Sequence, residues 1–150
     1  IAEYEDAGRD PRHGSCRIYG LNLRHKHLPE MQAVCGLARQ PVFSPIIGDY
    51  YKGMATTVLL PGYSAEAVHA ALSAWYRGQR FVQVAPLGGD EPVIYADTLA
   101  GSNNLRLIVC GREEQTTVTA LFDNLGKGAS GAAVQNMNLM LGLDEAAGLL

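Results

Sequence analysis

The sequence predicts an α+β fold: a mixed, largely antiparallel sheet with helices packed on one face. Strand-like and helix-like segments do not alternate regularly, as they would in a parallel α/β protein. Two predicted strands, 105–113 and 116–124, are joined by a short polar turn that is typical of a hairpin. The length of 150 residues and the hydrophobic content of 47% predict one domain with a substantial core.

The first third of the chain predicts short elements. Residues 1–14 are charged and contain Gly and Pro, which predicts a short helix followed by a loop. Residues 16–23 predict a strand, and residues 28–39 predict a helix with Pro29 in its first turn. A second strand is predicted between prolines at 41–48.

The clearest predicted helix spans residues 64–78. Ser64 is a favourable N-cap residue, and Gly78 suits the position just after the helix. Its predicted apolar face consists of Val68, Leu72 and Trp75.

The rest of the chain predicts further strands and a final helix. The polar segment 87–92 predicts a turn, 93–103 favours no element, and 127–142 predicts the helix. The predicted strands are residues 50–61, 81–86, 105–113 and 116–124.

Composition and charge argue against several classes of protein. The net charge is −3 and there is no long Lys/Arg cluster, so a nucleic-acid-binding surface is not expected. No apolar run approaches the roughly 20 residues of a membrane span. The chain opens at Ile1 in an acidic stretch with neither a signal peptide nor an initiating Met, which predicts a piece of a longer protein.

The three cysteines predict no metal site. Cys16, Cys35 and Cys110 are scattered and form no CxxC pair, so a thiolate zinc site is not expected. A reducing, cytoplasmic location is the simplest expectation. Because Cys35 and Cys110 lie in apolar runs, we expect them to be small buried hydrophobic residues.

The stretch RHKHLPE places two of the four histidines two residues apart, where a predicted strand meets a predicted helix. Side chains at i and i+2 of a strand share a side, so His25 and His27 could face one cleft. One interpretation is a polar loop facing water. A second is a metal site with Glu30 as third ligand.

A third interpretation is acid–base chemistry, which suits the neighbouring cations best. Arg24 and Lys26 have the wrong sign to support metal-ligating histidines. Positive neighbours disfavour the imidazolium form and leave a histidine ready to accept a proton. The same cations would attract an anionic substrate.

The second informative stretch, DNLGKGASGAAVQNMN at 123–138, runs from a strand end through a glycine-rich loop into a helix. Free N–H groups at such a helix start favour an anion or a polar amide. The P-loop pattern is absent, because Gly128 follows Lys127. Gly126, Gly128 and Gly131 fit GxGxxG in spacing, but no βαβ unit surrounds them. Close helix packing through small residues is the alternative.

Together, RHKHLPEM, PVFSPIIGDYYKGM and DNLGKGASGAAVQNMNLMLGLDE resemble N-acetyl-γ-glutamyl-phosphate reductase of arginine biosynthesis, in its shorter HKHxPE branch. The resemblance runs from about Tyr19 to the C-terminus and is least specific over 61–103. It implies a fold similar to the C-terminal domain of the aspartate-semialdehyde and glyceraldehyde-3-phosphate dehydrogenases. It also implies that a cysteine thiolate attacks an acyl phosphate, phosphate leaves, and NADPH reduces the thioester to an aldehyde.

Two parts of that family pattern are missing from these 150 residues. They are the Rossmann domain with its glycine motif and the Asn-Pro-Gly-Cys type motif of the nucleophile, which none of the three cysteines matches. The resemblance therefore implies that residues 1–150 are a single substrate-binding and dimerisation domain, inactive alone. The helix at 127–142 would pack on the missing NADP-binding domain.

The resemblance also assigns residues. His25 matches the acid–base histidine, and no metal is implied. The residues implied to shape the pocket or meet the substrate anion are His27, Glu30, Arg24 and Lys26. Those matching the loop near the nicotinamide are Asn124, Lys127 and Gly128. Lys52 and Gly53 fall in a family-like segment without an assigned role.

Two other functions remain as alternatives. One is a non-catalytic, sheet-forming interaction module with an anion site at the helix start near Gly128. The other is a hydrolase that uses the HxHxxE group as a metal site.

Overall fold

The computed structural model describes residues 2–89 and 93–149. They form two compact units, Ile1–Tyr51 and Lys52–Leu150. The prediction of a single domain stays a prediction, and each unit is described by itself. Among the described residues, no helix has both the length and the apolar character needed to cross a membrane.

The first unit contains short elements. They are helix α1 (Ala2–Glu5), a 3-10 turn (Pro11–Gly14), strand β1 (Arg17–Ile18), helix α2 (Leu28–Val34) and strand β2 (Ile46–Ile47). Strands β1 and β2 pair antiparallel, with Arg17 opposite Ile47. The predicted strands at 16–23 and 41–48 are thus wrong in length. Gly20 and Leu23 have φ values of 65° and 55°, which end the extended conformation after β1.

Helix α2 starts where it was predicted and ends earlier. Leu28 begins the helix and is buried, and Pro29 lies in the first turn. The predicted end at residue 39 is wrong, because Gly36 adopts φ 62° two residues after Val34. A left-handed residue at this position terminates a helix.

The second unit is built on a four-stranded sheet in the order β3-β6-β5-β4. Its strands are β3 (Met54–Pro61), β4 (Val82–Val84), β5 (Leu105–Arg112) and β6 (Gln115–Phe122). Strand β6 pairs antiparallel with both β3 and β5, whereas β4 pairs parallel with β5. The prediction of an α+β fold with a mixed, largely antiparallel sheet is confirmed.

Helix α3 (Ala65–Trp75) packs on the sheet. The predicted N-cap is confirmed, since Ser64 Oγ accepts the N–H of Ala67 at 3.2 Å. Ala65 is buried, and a Cβ at Gly111 of β5 would lie 2.9 Å from the Ala65 Cβ. Trp75, which shares the apolar spacing of this helix, lies at its last residue, and its side chain is 80% exposed.

The buried apolar residues of the second unit lie on β5 and β6, on either side of β4 and at the start of α3. They are Ala65, Phe81, Ala85, Leu107, Val109 and Leu121. This core holds the end of β6 rigidly, and the glycine-rich stretch starts directly after that strand.

The predicted burial of Cys35 and Cys110 is wrong, because both side chains are exposed, as is Cys16. Cys35 caps the end of α2, a helix whose only described buried residue is Leu28. Cys110 lies near the end of β5, where the burial of the strand stops after Val109.

Candidate functional site

The two histidines of RHKHLPE meet through a turn rather than through a strand. His27 has a helical backbone conformation and caps α2, so the expected strand geometry is wrong. The two rings are nevertheless neighbours, with centroids 5.1 Å apart. The N–H of His27 points to Nδ1 of His25 at 3.3 Å. With Nδ1 accepting this bond, a neutral His25 ring carries its proton on Nε2.

Aromatic rings fix the orientation of the half-buried His25. The ring of Phe43 lies edge-on at 5.0 Å between centroids, and that of Tyr19 lies at 6.0 Å. The imidazole is therefore held on three sides by rings and by one backbone bond. Nε2 is left as the nitrogen that can exchange a proton with a bound molecule.

The polar neighbours of His25 differ in whether their charged groups have a described partner. Nδ1 of His27 lies 3.4 Å from a carboxylate oxygen of Glu30, and both side chains are exposed. Arg24 and Lys26 are also exposed, and their charged groups pair with no residue that the structure describes. The structure thus brings His25, His27 and Glu30 together and leaves two cations beside them in sequence.

A metal centre finds no support in this geometry. Within residues 2–89 and 93–149, no group of three or more His, Cys, Asp or Glu side chains could hold a metal ion. The HxHxxE stretch therefore does not supply the three ligands that the hydrolase alternative requires.

The glycine-rich stretch begins as a π-helical turn, Gly126–Ser130, and continues as helix α4 (Gly131–Met140). The predicted helix at 127–142 is thus present in its body, and its first turn is wider than an α-helix. π-Helical turns inside helices occur frequently at functional sites.

Asp123, at the end of β6, organises this turn. Its side chain is 1% exposed, and its carboxylate accepts N–H groups of Gly101 at 2.6 Å, Leu125 at 2.8 Å and Gly126 at 2.9 Å. The Lys52 ammonium lies 3.5 Å away. Led by the Gly101 bond, these donors lower the pKa of Asp123 to about 2, although burial acts in the opposite direction.

These hydrogen bonds bear on the anion site predicted at the helix start. The N–H groups of Leu125 and Gly126 already donate to the Asp123 side chain, and the N–H of Gly128 donates to the Asp123 carbonyl at 2.8 Å. These donors are not free for an external anion. An anion site at this helix start would have to do without these three donors.

Asn124 connects the turn to the start of β3. Its side-chain oxygen accepts the N–H of Gly53 at 2.8 Å. Because the N–H of Gly53 bonds to the side-chain oxygen of Asn124, the NH2 group of Asn124 points in another direction. No described residue accepts a hydrogen bond from this NH2 group. Gly53 has φ 122°, and a Cβ there would lie 2.6 Å from the carbonyl oxygen of Ala96. Gly53 is therefore required for a close backbone approach.

Lys127 is held against its own unit. Its ammonium donates to Gln135 Oε1 and lies 5.8 Å from the ring centroid of Phe81. Burial lowers the pKa of Lys127, and the negative charge of Glu145 opposes this effect. Gly128, by contrast, is exposed.

Sequence reasoning named Asn124, Lys127 and Gly128 and missed Asp123. An Asp ahead of a Gly-rich helix start is a known capping pattern, and this signal could have identified it. The Lys52 contact had no such signal, because it joins residues far apart in sequence.

Residues 5–124 match the protein family described as semialdehyde dehydrogenase, dimerisation domain. The chain belongs to this family. The matched range includes the histidine motif, the whole sheet of this semialdehyde dehydrogenase domain, and Asp123 and Asn124.

Curated relatives of this semialdehyde dehydrogenase domain are named N-acetyl-gamma-glutamyl-phosphate reductase. The protein of Burkholderia ambifaria is 49% identical over 140 residues, covering 87% of this chain and 44% of the relative. A protein of Pseudomonas putida, carrying that name with the number 2, is 49% identical over 142 residues, covering 88% of this chain and 45% of the relative. The protein of Brucella ovis is 46% identical over 153 residues, covering 95% of this chain and 49% of the relative.

These matches confirm the resemblance drawn from the three stretches. The chain spans about half the length of the curated relatives it matches.

Proposed function

We propose that this chain is the substrate-binding and dimerisation half of a cytoplasmic, NADP-dependent N-acetyl-γ-glutamyl-phosphate reductase of arginine biosynthesis. The observation that carries the proposal is the 49% identity to a reductase of that name over 87% of the chain. The nucleophilic cysteine and the Rossmann domain lie outside these 150 residues. The chain alone is therefore inactive.

His25 is the acid–base residue of the proposed reaction. A cysteine from outside this chain attacks the acyl phosphate, phosphate leaves, and a semialdehyde is the final product. NADPH supplies the hydride when bound. With Nδ1 occupied by the His27 N–H, Nε2 of His25 is the atom that exchanges protons with the thiol and with the oxyanion.

The substrate carries a carboxylate and a phosphate, and the exposed cations suit both. The charged groups of Arg24 and Lys26 form no ion pair with a described residue, so either can pair with an incoming anion. His27 and Glu30 contact each other and form one wall of the pocket.

The stretch 124–128 is the proposed neighbour of the nicotinamide. A carboxamide needs hydrogen-bond donors, and the NH2 of Asn124 is such a donor without a described acceptor. The exposed Gly128 lets a planar ring approach the backbone. Lys127, whose ammonium donates to Gln135, is the third residue of this stretch proposed to lie near the nicotinamide.

Helix α4 and the residue after it carry the proposed contact with the dinucleotide-binding domain. They present a series of exposed apolar side chains, which a neighbouring domain would cover. These are Met137, Leu139, Met140 and Leu141, with Met140 86% exposed.

Genetic complementation tests this function. The complete coding region that carries this chain is expressed in a bacterial strain whose own reductase gene is deleted. Growth without arginine is the expected result, and a read of the upstream sequence should show a Rossmann segment followed by a cysteine motif. Absence of growth despite soluble expression would reject the proposal.

The chain is expected to self-associate, at least as a dimer. Strand β3 lies at the edge of the sheet, and its side chains include Val58 and Leu59, the latter 72% exposed. Such an uncharged apolar edge favours association. Light scattering at micromolar concentration should give at least twice the monomer mass. A monomer across ordinary salt concentrations would contradict the expectation.

The chain alone is expected not to bind NADPH detectably. It carries the stretch proposed to lie near the nicotinamide, whereas the adenine and pyrophosphate contacts would come from the Rossmann domain. Titration calorimetry at sub-millimolar protein should show no binding heat. A clear binding isotherm would mean that Gly126–Gly131 forms a complete nucleotide site.

A further inference from the structure

Asp123 is a buried carboxylate that the proposed chemistry does not use. It lies between two backbone segments, since Gly101 donates from one side, and Leu125 and Gly126 donate from the other. A fixed negative charge in a buried place has a large desolvation cost, and several hydrogen bonds are needed to offset it. Here the bonds come from backbone groups, so the carboxylate determines the path of the chain.

We propose that Asp123, with Lys52 as its counter-charge, is a positioning residue that holds Asn124 and the glycine-rich turn in the shape that receives the cofactor. The inference rests on the proposed function and goes beyond it, because neither residue contacts substrate or cofactor in the proposal.

The geometry around Asp123 leaves little freedom for the turn. Gly101 has φ 84°, so its N–H reaches the carboxylate from a conformation that other residues rarely adopt. A Cβ at Gly126 would lie 3.0 Å from the Ser102 carbonyl oxygen. The segment at 101–102 and the glycine-rich turn are therefore packed backbone against backbone, with the Asp123 carboxylate between their N–H groups.

Asn124 is positioned from both directions. On one side it follows Asp123 directly, and on the other its Oδ1 accepts the N–H of Gly53. Lys52, the residue before Gly53, approaches the Asp123 carboxylate. Adjacent residues 52–53 thus contact adjacent residues 123–124, which fixes the direction of the Asn124 NH2.

Asp123→Asn disrupts this arrangement of hydrogen bonds with little change in the size of the side chain. An amide replaces one carboxylate oxygen by an NH2 group, which would face either the Gly101 N–H and the Lys52 ammonium, or the N–H groups of the turn. Donors would then point at donors, and the turn must shift. Lys52→Met removes the counter-charge alone, whereas Lys52→Arg keeps it.

The test uses the complete reductase and separates the Michaelis constants. Asp123→Asn should raise both the Kd of NADPH, measured by titration without the acyl phosphate, and its KM by about tenfold, as expected when the misplaced Asn124 NH2 loses one hydrogen bond to the cofactor. It should leave KM for the acyl phosphate within about twofold. Lys52→Met should raise KM for NADPH less, and Lys52→Arg should restore it. Asp97→Asn, an exposed carboxylate in the same unit, is the matched control and should change neither constant.

The outcomes separate the two proposals. An unsubstituted reductase without NADPH-dependent activity would reject the proposed function itself. An active enzyme in which Asp123→Asn leaves KM for NADPH unchanged, or raises both Michaelis constants equally, would overturn the positioning role. If Asp123→Asn fails to fold, the two Lys52 variants decide the question. Equal KM values for NADPH in Lys52→Met and Lys52→Arg would reject the inference.

Discussion

Replacing His25 by Asn in the complete reductase is expected to lower kcat by about 10²–10⁴-fold, the usual contribution of general acid–base catalysis. Asn keeps a polar side chain but cannot exchange a proton at the place where Nε2 lies. The fold and the affinity for NADPH should be nearly unchanged, because the His25 ring contacts Phe43, Tyr19 and His27 within the first unit. Steady-state kinetics and circular dichroism measure these quantities.

His27→Asn is the matched variant for this prediction. His27 is exposed and contacts Glu30, so its loss should appear more in KM than in kcat. A metal site would give a different pattern, with both variants equally inactive and a chelator reproducing the loss. A His25→Asn enzyme with near-normal kcat would contradict the assigned role.

Replacing Gly131 by Ala is expected to destabilise the second unit by about 3 kcal/mol, at the upper end of ordinary overpacking costs. A Cβ at Gly131 would overlap Oδ1 of the buried Asn103 and would lie 2.9 Å from the backbone of Gly126. Neither neighbour is the end of a flexible exposed side chain, so the π-helical turn itself must move. Urea denaturation of the chain, followed by circular dichroism, measures the change in unfolding free energy.

Gly89→Ala provides the control for this experiment. Its added Cβ would make an ordinary contact, 3.6 Å from the Pro86 carbonyl oxygen. The unfolding free energy should change by less than about 0.5 kcal/mol. Equal stability of Gly131→Ala and Gly89→Ala would show that the start of α4 is not packed as described.

The part of the fold that depends on local pattern was predictable. Strands β5 and β6 form the predicted hairpin and lie within one or two residues of the predicted ends. The lengths of β1 and β2 were overestimated. After β1 the left-handed residues Gly20 and Leu23 end the extended conformation, and a leucine gives no signal of a positive φ. Cys110 was predicted to be buried because it lies in an apolar run, and Trp75 shares the apolar spacing of α3, but both side chains are exposed. A pattern does not show where the covering layer ends.

The candidate site was predictable to the extent that it is contiguous in sequence. His25 and His27 are neighbours because only one residue separates them, although a turn rather than a strand brings them together. The contacts of Asp123 with Gly101 and Lys52 were not predictable, because Gly101 is 22 residues away and Lys52 comes close only through the pairing of β3 with β6. Long-range pairing of this kind is determined by the tertiary fold.

The reverse reaction of the complete protein tests the proposed reductase function most directly. N-acetylglutamate semialdehyde, phosphate and NADP⁺ are mixed with the enzyme, and NADPH formation is followed by absorbance. We predict NADPH formation that requires phosphate, because the acyl group must leave the cysteine as an acyl phosphate. NADPH formation at an equal rate without phosphate, or none with all three reactants present, would contradict it.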